Sequence, residues 1–525
     1  MFFIKKLSAY LCAILVALYI FPIFAANKLL SPTDARLQKI LTDFTKYAEQ
    51  NRKDWQVPGM AIAIVKDSKI IYVKGFGVRN SKGEPVTPET IFNIASLTKS
   101  FTAALLAKQI EDGKYTWDTK ISELFPEFKL YDSKATQKFA VRDLVAHDSG
   151  LRDHALQFLP YFGYDQNYQI RALRFLKPEA AFRTKFAYQN IFLEVAQNII
   201  EKYSGTSYTN NLHERLLKPL DMQNSYLWTE HSGKLDNLAE PNFYYRGKLT
   251  VIPNNWLHWE NGAMTSLVAT AGIKSTVVDI AKWVIFHMNN GIVDGKQLID
   301  MKDMNFMHAV HTPIKTAANG VIKEAYGEGW FVNTQENAPY TTIYHTGDYT
   351  GVKALMKYIQ EAKIGIVILT NQSYNLMPEA LAKRFFAMYF NKPLKDWGKI
   401  NLIKRNQDEQ KWLSKSPKCN FTKGNDLEKY VGTYSNNVYG KKLIVAKNGD
   451  HLSLTIGPKK IEWSLTPCKN NIFKAYWSNP GNLDFPIITG KDEVVKFIST
   501  KTTNTIRKMR INYLNHDGSG VFDRI

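Results

Sequence analysis

The chain has 525 residues, of which 45% are hydrophobic and 22% are charged. This composition is typical of a globular protein and excludes a chain that is disordered throughout. The length exceeds what one hydrophobic core usually holds, so we expect one large domain and a smaller one. No nucleic-acid-binding motif accompanies the formal net charge of +20. We interpret that charge as a solvated surface and expect no nucleic-acid partner.

The first residues have the charged, apolar and small-residue order of a secretory signal. Lys5 and Lys6 precede an apolar run from Leu7 to Phe24, which ends in small residues. We therefore predict a signal peptide over residues 1–26 and a periplasmic or secreted protein. The alternative is an uncleaved anchor, since the run approaches the length that spans a bilayer, and membrane association is expected only in that case.

Cleavage would remove Cys12 and leave Cys419 and Cys468. Two cysteines in an oxidising compartment suggest one disulfide between these two residues. The alternative is that each thiol is simply a buried apolar side chain, so the sequence leaves the pairing open.

Residues 27–395 show strand patterns first, then helical patterns, and then strand patterns again. Two apolar runs flank a polar turn over residues 59–77, which predicts a β-hairpin. Helical periodicity begins at Ser96, and strand patterns return over residues 343–369 before a helix near 379–390. This order predicts an α/β (α+β) domain with an antiparallel sheet and a helical region. The first and last strands are expected to be neighbours in that sheet.

A polar, lysine-rich stretch follows and predicts a linker over residues 396–424. Beyond it, short apolar runs separated by Asn, Gly and Pro predict a small all-β domain over residues 425–525. The chain shows no internal repeat and no metal-ligand cluster of the usual spacings. We therefore expect neither a metal nor another cofactor.

The sharpest chemical signal is Ser96-Leu97-Thr98-Lys99 at a predicted helix start. Residues three apart share one helix face, so the Lys99 amine can reach the Ser96 hydroxyl. The positive helix terminus and burial both disfavour an ammonium, which leaves Lys99 able to accept the Ser96 proton. The same amide-rich end can stabilise an oxyanion. The alternative reading is a helix-capping serine beside a solvated lysine.

A second signal is Tyr188-Gln189-Asn190, just before a helical run. A phenol and an amide two residues apart can point into one cleft. The same spacing recurs elsewhere in the chain, where a buried aromatic beside a surface amide explains it. Position selects Tyr188, because it lies in the same domain as Ser96 on a loop that opens a helix.

A third signal is His345-Thr346-Gly347 at the end of a predicted strand. We expect Gly347 to let a substrate approach the backbone closely. A rival, His231-Ser232-Gly233, has no strand before it. A lone histidine is more often structural than catalytic, so His345 depends on the other two signals for its functional interpretation.

These three elements in this order resemble the serine β-lactamase, D-alanyl-D-alanine peptidase and related esterase superfamily over about residues 30–395. Residues 144–151 and 271–283 are similar to two further segments of that superfamily. The resemblance implies Ser96 as nucleophile, Lys99 as base and Tyr188 as proton shuttle. Asn190 would donate a hydrogen bond to the substrate, and Thr346 and Gly347 would also bind it. The amides of Ser96 and Asp348 would form the oxyanion hole.

The third motif carries His345 where the commoner pattern has lysine, as in the esterases, D-aminopeptidases and archaeal self-compartmentalising peptidases of this group. A histidine is mostly uncharged at neutral pH, and Asp348 beside it would repel an anionic substrate. The resemblance therefore implies a small peptide, amide or ester substrate, cell-wall-derived ones included. A β-lactamase is one alternative, and a non-catalytic envelope-binding or sensor protein is another.

The C-terminal part, through Tyr430-Val431-Gly432-Thr433-Tyr434, is similar to the lipocalin-like β-barrel appended to some of those peptidases. In them such a barrel can assist assembly or cover the site. An oligomer is therefore left open by the sequence.

Overall fold

The computed structural model describes residues 33–230, 236–245, 247–252, 267–415, 419, 426–468, 471–477, 493–500 and 505–525. The predicted signal peptide, residues 1–26, and the rival His231 lie outside these residues. Among the described residues, no helix combines the length and the apolar character needed to cross a lipid bilayer.

An eight-stranded antiparallel sheet lies at the centre of the larger part of the molecule. Its strands, in spatial order, are Thr312–Thr316, Ile322–Tyr326, Phe331–Asn337, Tyr340–Tyr349, Val352–Ile359, Ile364–Thr370, Gly59–Lys66 and Lys69–Gly77. The predicted hairpin of residues 59–77 forms one edge. The first and last predicted strands are neighbours, as expected, with Met60 opposite Thr370.

Both faces of this sheet are covered, which explains why the strands Gly59–Lys66 and Ile364–Thr370 are nearly continuous apolar runs rather than alternating ones. Helices Asp34–Asp54 and Met377–Tyr389 pack on the face that carries Met60, Ile62 and Ile64. Helix Val277–Met288 packs on the opposite face. The predicted helix near 379–390 is therefore present, with a start two residues earlier.

The middle of the chain is helical, as predicted, and lies beside the sheet. Its helices are Thr98–Glu111, Ile121–Leu124, Ser133–Lys138, Asp143–Ala146, Gln166–Ala172, Ile191–Ser204, Tyr208–Leu212, Val268–Ala271 and Met301–Met307. A small three-stranded sheet of Phe92–Asn93, Ile273–Ser275 and Tyr226–Leu227 lies next to the first of these helices, and two-stranded ribbons pair Asn242–Tyr245 with Lys248–Val251 and Ile292–Val293 with Lys296–Gln297.

The segment predicted as a linker, residues 396–424, contains the helix Trp397–Lys415. One side of this helix packs on the larger part of the molecule: the Trp55 indole N–H donates to the Gly398 carbonyl oxygen at 3.2 Å. The Arg405 guanidinium lies over the rings of Trp55 and Tyr244. Most of this segment is polar and only one side of the helix makes contacts, which is why the sequence predicted a linker and no helix. The exact domain boundaries stay predictions.

The C-terminal strands close into an eight-stranded antiparallel barrel. They are Gly432–Asn436, Gly440–Asn448, His451–Ile456, Ile461–Pro467, Ile472–Trp477, Glu493–Ser499, Ile506–Ile511 and Val521–Arg524. The first strand pairs with the last, with Tyr434 opposite Arg524. The predicted small all-β fold is confirmed. A disulfide joins Cys419 to Cys468, so of the two alternatives for these thiols the structure has the bridge.

Candidate active site

Ser96 lies in a tight turn that leads into the helix Thr98–Glu111. Ala95, directly before it, has a left-handed backbone with φ of 49°. The Asn93 side-chain oxygen accepts the Ala95 N–H at 2.7 Å and supports this conformation. A non-glycine residue in this region costs roughly 1–3 kcal/mol, and such strain is concentrated at functional sites.

Lys99 is completely buried, and its Nζ lies 3.0 Å from the Ser96 Oγ. It also donates to the carbonyl oxygen of Thr270 at 3.2 Å. Burial holds the pKa of the Lys99 amine well below its usual value of 10.5. The amine is thereby suited to accept the Ser96 proton, as the sequence predicts.

The Tyr188 side chain hydrogen-bonds Ser96, and the Lys99 Nζ lies 4.8 Å from the centre of its ring. Burial raises the pKa of the Tyr188 phenol, and the hydrogen bond with Ser96 opposes that rise. The phenol therefore keeps its proton near neutral pH. Two titratable groups contact Ser96, and burial lowers the pKa of one and raises the pKa of the other. This difference favours Lys99 as the base and Tyr188 as a proton donor.

A loop of residues 152–156, here called the clamp loop, holds the backbone of Tyr188. The Asp153 carboxylate accepts the Tyr188 N–H at 2.7 Å. The His154 N–H donates to the Tyr188 carbonyl oxygen, also at 2.7 Å. Sequence reasoning missed Asp153, because an acidic residue 35 positions before its partner leaves no local pattern.

Asn190 immediately precedes the helix Ile191–Ser204 and lines the same cavity as Ser96. Its backbone carbonyl accepts the Thr270 hydroxyl at 3.4 Å. Its side-chain Oδ1 is buried and has no hydrogen-bond partner among the described residues. The Asn190 Oδ1 can therefore accept a hydrogen bond from an N–H group of a substrate.

His345 is completely buried and does not line the cavity. Its Nδ1–H donates to the Thr346 carbonyl oxygen at 2.7 Å, so its Nε2 accepts the Tyr326 hydroxyl, 2.8 Å away. Burial lowers the pKa of the His345 imidazole to about 3, and the charge of Lys99 contributes. The ring is a neutral, fully bonded group behind the cavity wall, and Thr346, like His345, is absent from that wall.

Gly347 permits a close contact within the protein rather than the close approach of a substrate that the sequence predicted. A Cβ placed on it would lie 2.4 Å from the Ile94 carbonyl oxygen and 3.0 Å from the Ala95 Cβ. The missing side chain thus admits the turn that carries Ser96 against the strand Tyr340–Tyr349, rather than a substrate. The consequence is that this strand sets the position of the nucleophile.

Asp348 follows Gly347 and lines the cavity. Its carboxylate lies 3.4 Å from the Lys353 ammonium, which also pairs with Glu379 at 3.0 Å. The negative charge of the Asp348 carboxylate is therefore partly neutralised by the Lys353 ammonium. Its repulsion of anionic substrates is weaker than a free carboxylate would exert.

The cavity beside Ser96 has a volume of about 940 Å³ and is lined by both parts of the molecule. Ser96, Tyr188, Asn190, Thr270 and Asp348 come from the larger part. Glu493, Asn512, Tyr513 and His516 come from the barrel. The sequence placed the barrel beyond a linker, and only the resemblance to peptidases in which such a barrel can cover the site pointed towards this wall.

The described residues contain one group of three carboxylates close enough to share a cation, Glu111, Asp300 and Asp303. The Lys108 ammonium already lies 2.7 Å from Glu111. None of the three lines the cavity beside Ser96. The cluster therefore has no connection with the chemistry of the serine.

Comparisons with known proteins identify the family and the fold. The Beta-lactamase family model matches residues 44–387, and the model described as Domain of unknown function (DUF3471) matches residues 417–517. A curated relative, Unguisins hydrolase ungD′ of Aspergillus campestris, is 24% identical over 358 residues. That match covers 66% of this chain and 64% of the relative.

Solved structures share the fold over nearly the whole chain. The octameric penicillin-binding protein homologue from Pyrococcus abyssi is 23% identical with a TM-score of 0.58, covering 90% of this chain and 98% of that one. SurE, solved with D-Leu, is 18% identical with a TM-score of 0.52, covering 94% of this chain and all of that one (100%).

Proposed function

Because the chain belongs to the Beta-lactamase family, we propose that it is an exported serine hydrolase that forms an acyl-enzyme on Ser96. The observation that carries the proposal is the contact of the buried Lys99 amine with the Ser96 hydroxyl at 3.0 Å. Among the described residues Lys99 has no carboxylate partner, so its buried amine is suited to act as a base rather than as a structural ion.

In the proposed reaction the Ser96 oxygen attacks the substrate carbonyl carbon while its proton passes to the Lys99 amine. The backbone amides of Ser96 and Asp348 stabilise the oxyanion. The bond to the leaving group then breaks as the Tyr188 phenol gives its proton to that group, and Lys99 returns a proton to Tyr188. Water hydrolyses the Ser96 ester, releasing the acid and restoring the serine hydroxyl.

We propose neutral amide, peptide or ester substrates. The neutral His345 supplies no fixed positive charge for a substrate carboxylate. The Asn190 Oδ1, which has no partner among the described residues, can accept a hydrogen bond from the N–H of an amide substrate. The hydrolase name of the curated relative and the D-Leu in the SurE structure are compatible with this substrate class.

Export rests on the sequence of residues 1–26, and self-assembly is suggested by the octameric Pyrococcus abyssi homologue. Fractionation of cells producing the full chain tests the first proposal, and light scattering on the purified protein tests the second. A cytoplasmic protein, or a monomer at all concentrations, would reject the respective proposal.

Labelling with a fluorophosphonate, followed by peptide mass spectrometry, tests the nucleophile. We expect the label on Ser96 and no label in Ser96→Ala. Ser133→Ala is the matched control, because Ser133 also begins a helix but is exposed and outside the cavity. An unlabelled wild-type protein would favour the non-catalytic binding alternative, and a hundredfold preference for a chromogenic cephalosporin over a nitrophenyl ester would favour the β-lactamase alternative.

A further inference from the structure

The clamp loop, residues 152–156, has a backbone that its own sequence does not favour. His154 and Leu156 are both left-handed, with φ of 55° and 61°. Non-glycine residues are uncommon in this region, and a bulky residue such as Leu156 needs surrounding contacts to hold it there. The loop therefore depends on its neighbours for the conformation that contacts Tyr188.

Those neighbours belong to the barrel. The Leu156 N–H donates to the Asp517 carboxylate at 2.9 Å, and Asp517 is only 5% exposed. The His516 Nε2 lies 2.8 Å from the His154 carbonyl oxygen, at the distance of an N–H donor. Each left-handed residue of the loop is thus fixed by one barrel side chain.

The loop passes this constraint to the tyrosine. His154 uses its carbonyl oxygen for His516 and its N–H for the Tyr188 carbonyl oxygen. Asp153, one residue earlier, accepts the Tyr188 N–H. A continuous path of hydrogen bonds therefore runs from the barrel to the backbone of the residue whose phenol contacts Ser96.

We propose that His516 and Asp517 of the barrel are positioning residues, which hold the clamp loop so that Tyr188 can protonate the leaving group. This inference rests on the proposed acyl-enzyme function. The barrel is then part of the catalytic apparatus without itself touching the reacting atoms.

The rival explanation is that the barrel only packs against this region. The Phe158 and Tyr513 rings lie 3.8 Å apart, centre to centre, so barrel packing does contribute at this interface. General loosening would lower turnover of all substrates alike. Loss of Tyr188 positioning would act only where the leaving group needs a proton.

The test compares two substrates with the same acyl group. A nitroanilide needs protonation of its leaving nitrogen, whereas a nitrophenyl ester releases a stable phenolate. For His516→Ala and Asp517→Ala we expect the ratio of anilide kcat to ester kcat to fall by about ten- to a hundredfold. Because His516 lines the cavity, any change in KM that its loss causes should be the same for both substrates. Asp517 also accepts the Ser519 N–H at 2.8 Å through its other oxygen, so Asp517→Asn, with a single acceptor oxygen, should show an intermediate loss on the anilide.

His451→Ala is the matched control, because His451 is also in the barrel but outside the cavity wall. In a Tyr188→Phe background, His516→Ala should have no further effect on the anilide rate. Equal losses on both substrates, or a further loss in Tyr188→Phe, would overturn the inference while leaving Ser96 labelling intact. Absence of labelling in the wild-type protein would instead overturn the proposed function, and this inference with it.

Discussion

Replacing Gly347 by alanine tests how the strand Tyr340–Tyr349 positions the nucleophile. The new Cβ would lie 2.4 Å from the Ile94 carbonyl oxygen, about 1 Å inside ordinary contact distance. Because the obstructing atom is backbone, either the turn carrying Ser96 or the strand must move by that amount. A displacement of about 1 Å at a reacting group costs on the order of a hundredfold in rate.

We therefore expect kcat for a nitrophenyl ester to fall about a hundredfold in Gly347→Ala, with a stability loss of about 1–3 kcal/mol from overpacking. Gly365→Ala is the control, since its Cβ would meet the side chains of Val284 and Val65 at 2.9 Å, in the sheet core. It should lose stability but keep its kcat. Full activity in Gly347→Ala, measured alongside thermal melts of both variants, would refute this account of the glycine.

Further predictions concern protonation and the disulfide. Because burial lowers the Lys99 pKa and the neutral amine is the base, kcat/KM should fall as pH drops through a midpoint well below 10.5, and Lys99→Ala should remove several powers of ten; a midpoint near 10.5 would contradict this. Since the His345 pKa is about 3, the ratio of ester to cephalosporin kcat/KM should stay constant from pH 5 to 8; a gain in cephalosporin turnover on acidification argues against a neutral ring. Burial also lowers the His308 pKa to about 3. Below pH 6.5 the unfolded chain therefore binds a proton at His308 that the folded protein does not bind, and the folded state loses stability relative to the unfolded one. The free energy of unfolding, measured with urea, should therefore decline as pH falls from about 6.5 towards 3, and a flat profile would contradict it. Non-reducing mass spectrometry should find Cys419 and Cys468 bridged, and two alkylatable thiols would exclude the bridge.

The sequence predicted the elements of the site that lie within one local pattern. Ser96 and Lys99 share a helix start, and their side chains meet as helical spacing requires. Tyr188 was selected by its position before a helix, and it does contact Ser96. The hairpin of residues 59–77 and the strands within 343–369 were also predictable, because apolar runs and polar turns mark strands without knowledge of their partners. Of the order across the sheet, only the neighbouring first and last strands were predicted.

Contacts between distant segments could not be predicted in this way. The Thr270 carbonyl that binds Lys99 is 171 residues away in sequence, and a backbone carbonyl has no side-chain signature. The burial of His345 depends on Tyr326, which packs against it from another strand. Pattern reasoning identified His345 as a candidate residue but could not show which way its ring faces.

Because Gly59–Lys66 pairs with Ile364–Thr370, the sheet that supports the site cannot be completed until residue 370 has been synthesised. Ser96 and Lys99 are synthesised early, but the strand Tyr340–Tyr349 that contacts their turn is synthesised about 250 residues later. Bringing the two segments together closes a long loop, which costs conformational entropy. Folding of such non-local pairings is slow, and until they form the apolar strand Gly59–Lys66 has no partner on one edge. A nascent chain that ends before residue 340 therefore carries its nucleophile without the strand that positions it. The unpaired edge of Gly59–Lys66 stays open to aggregation until Ile364–Thr370 has been synthesised.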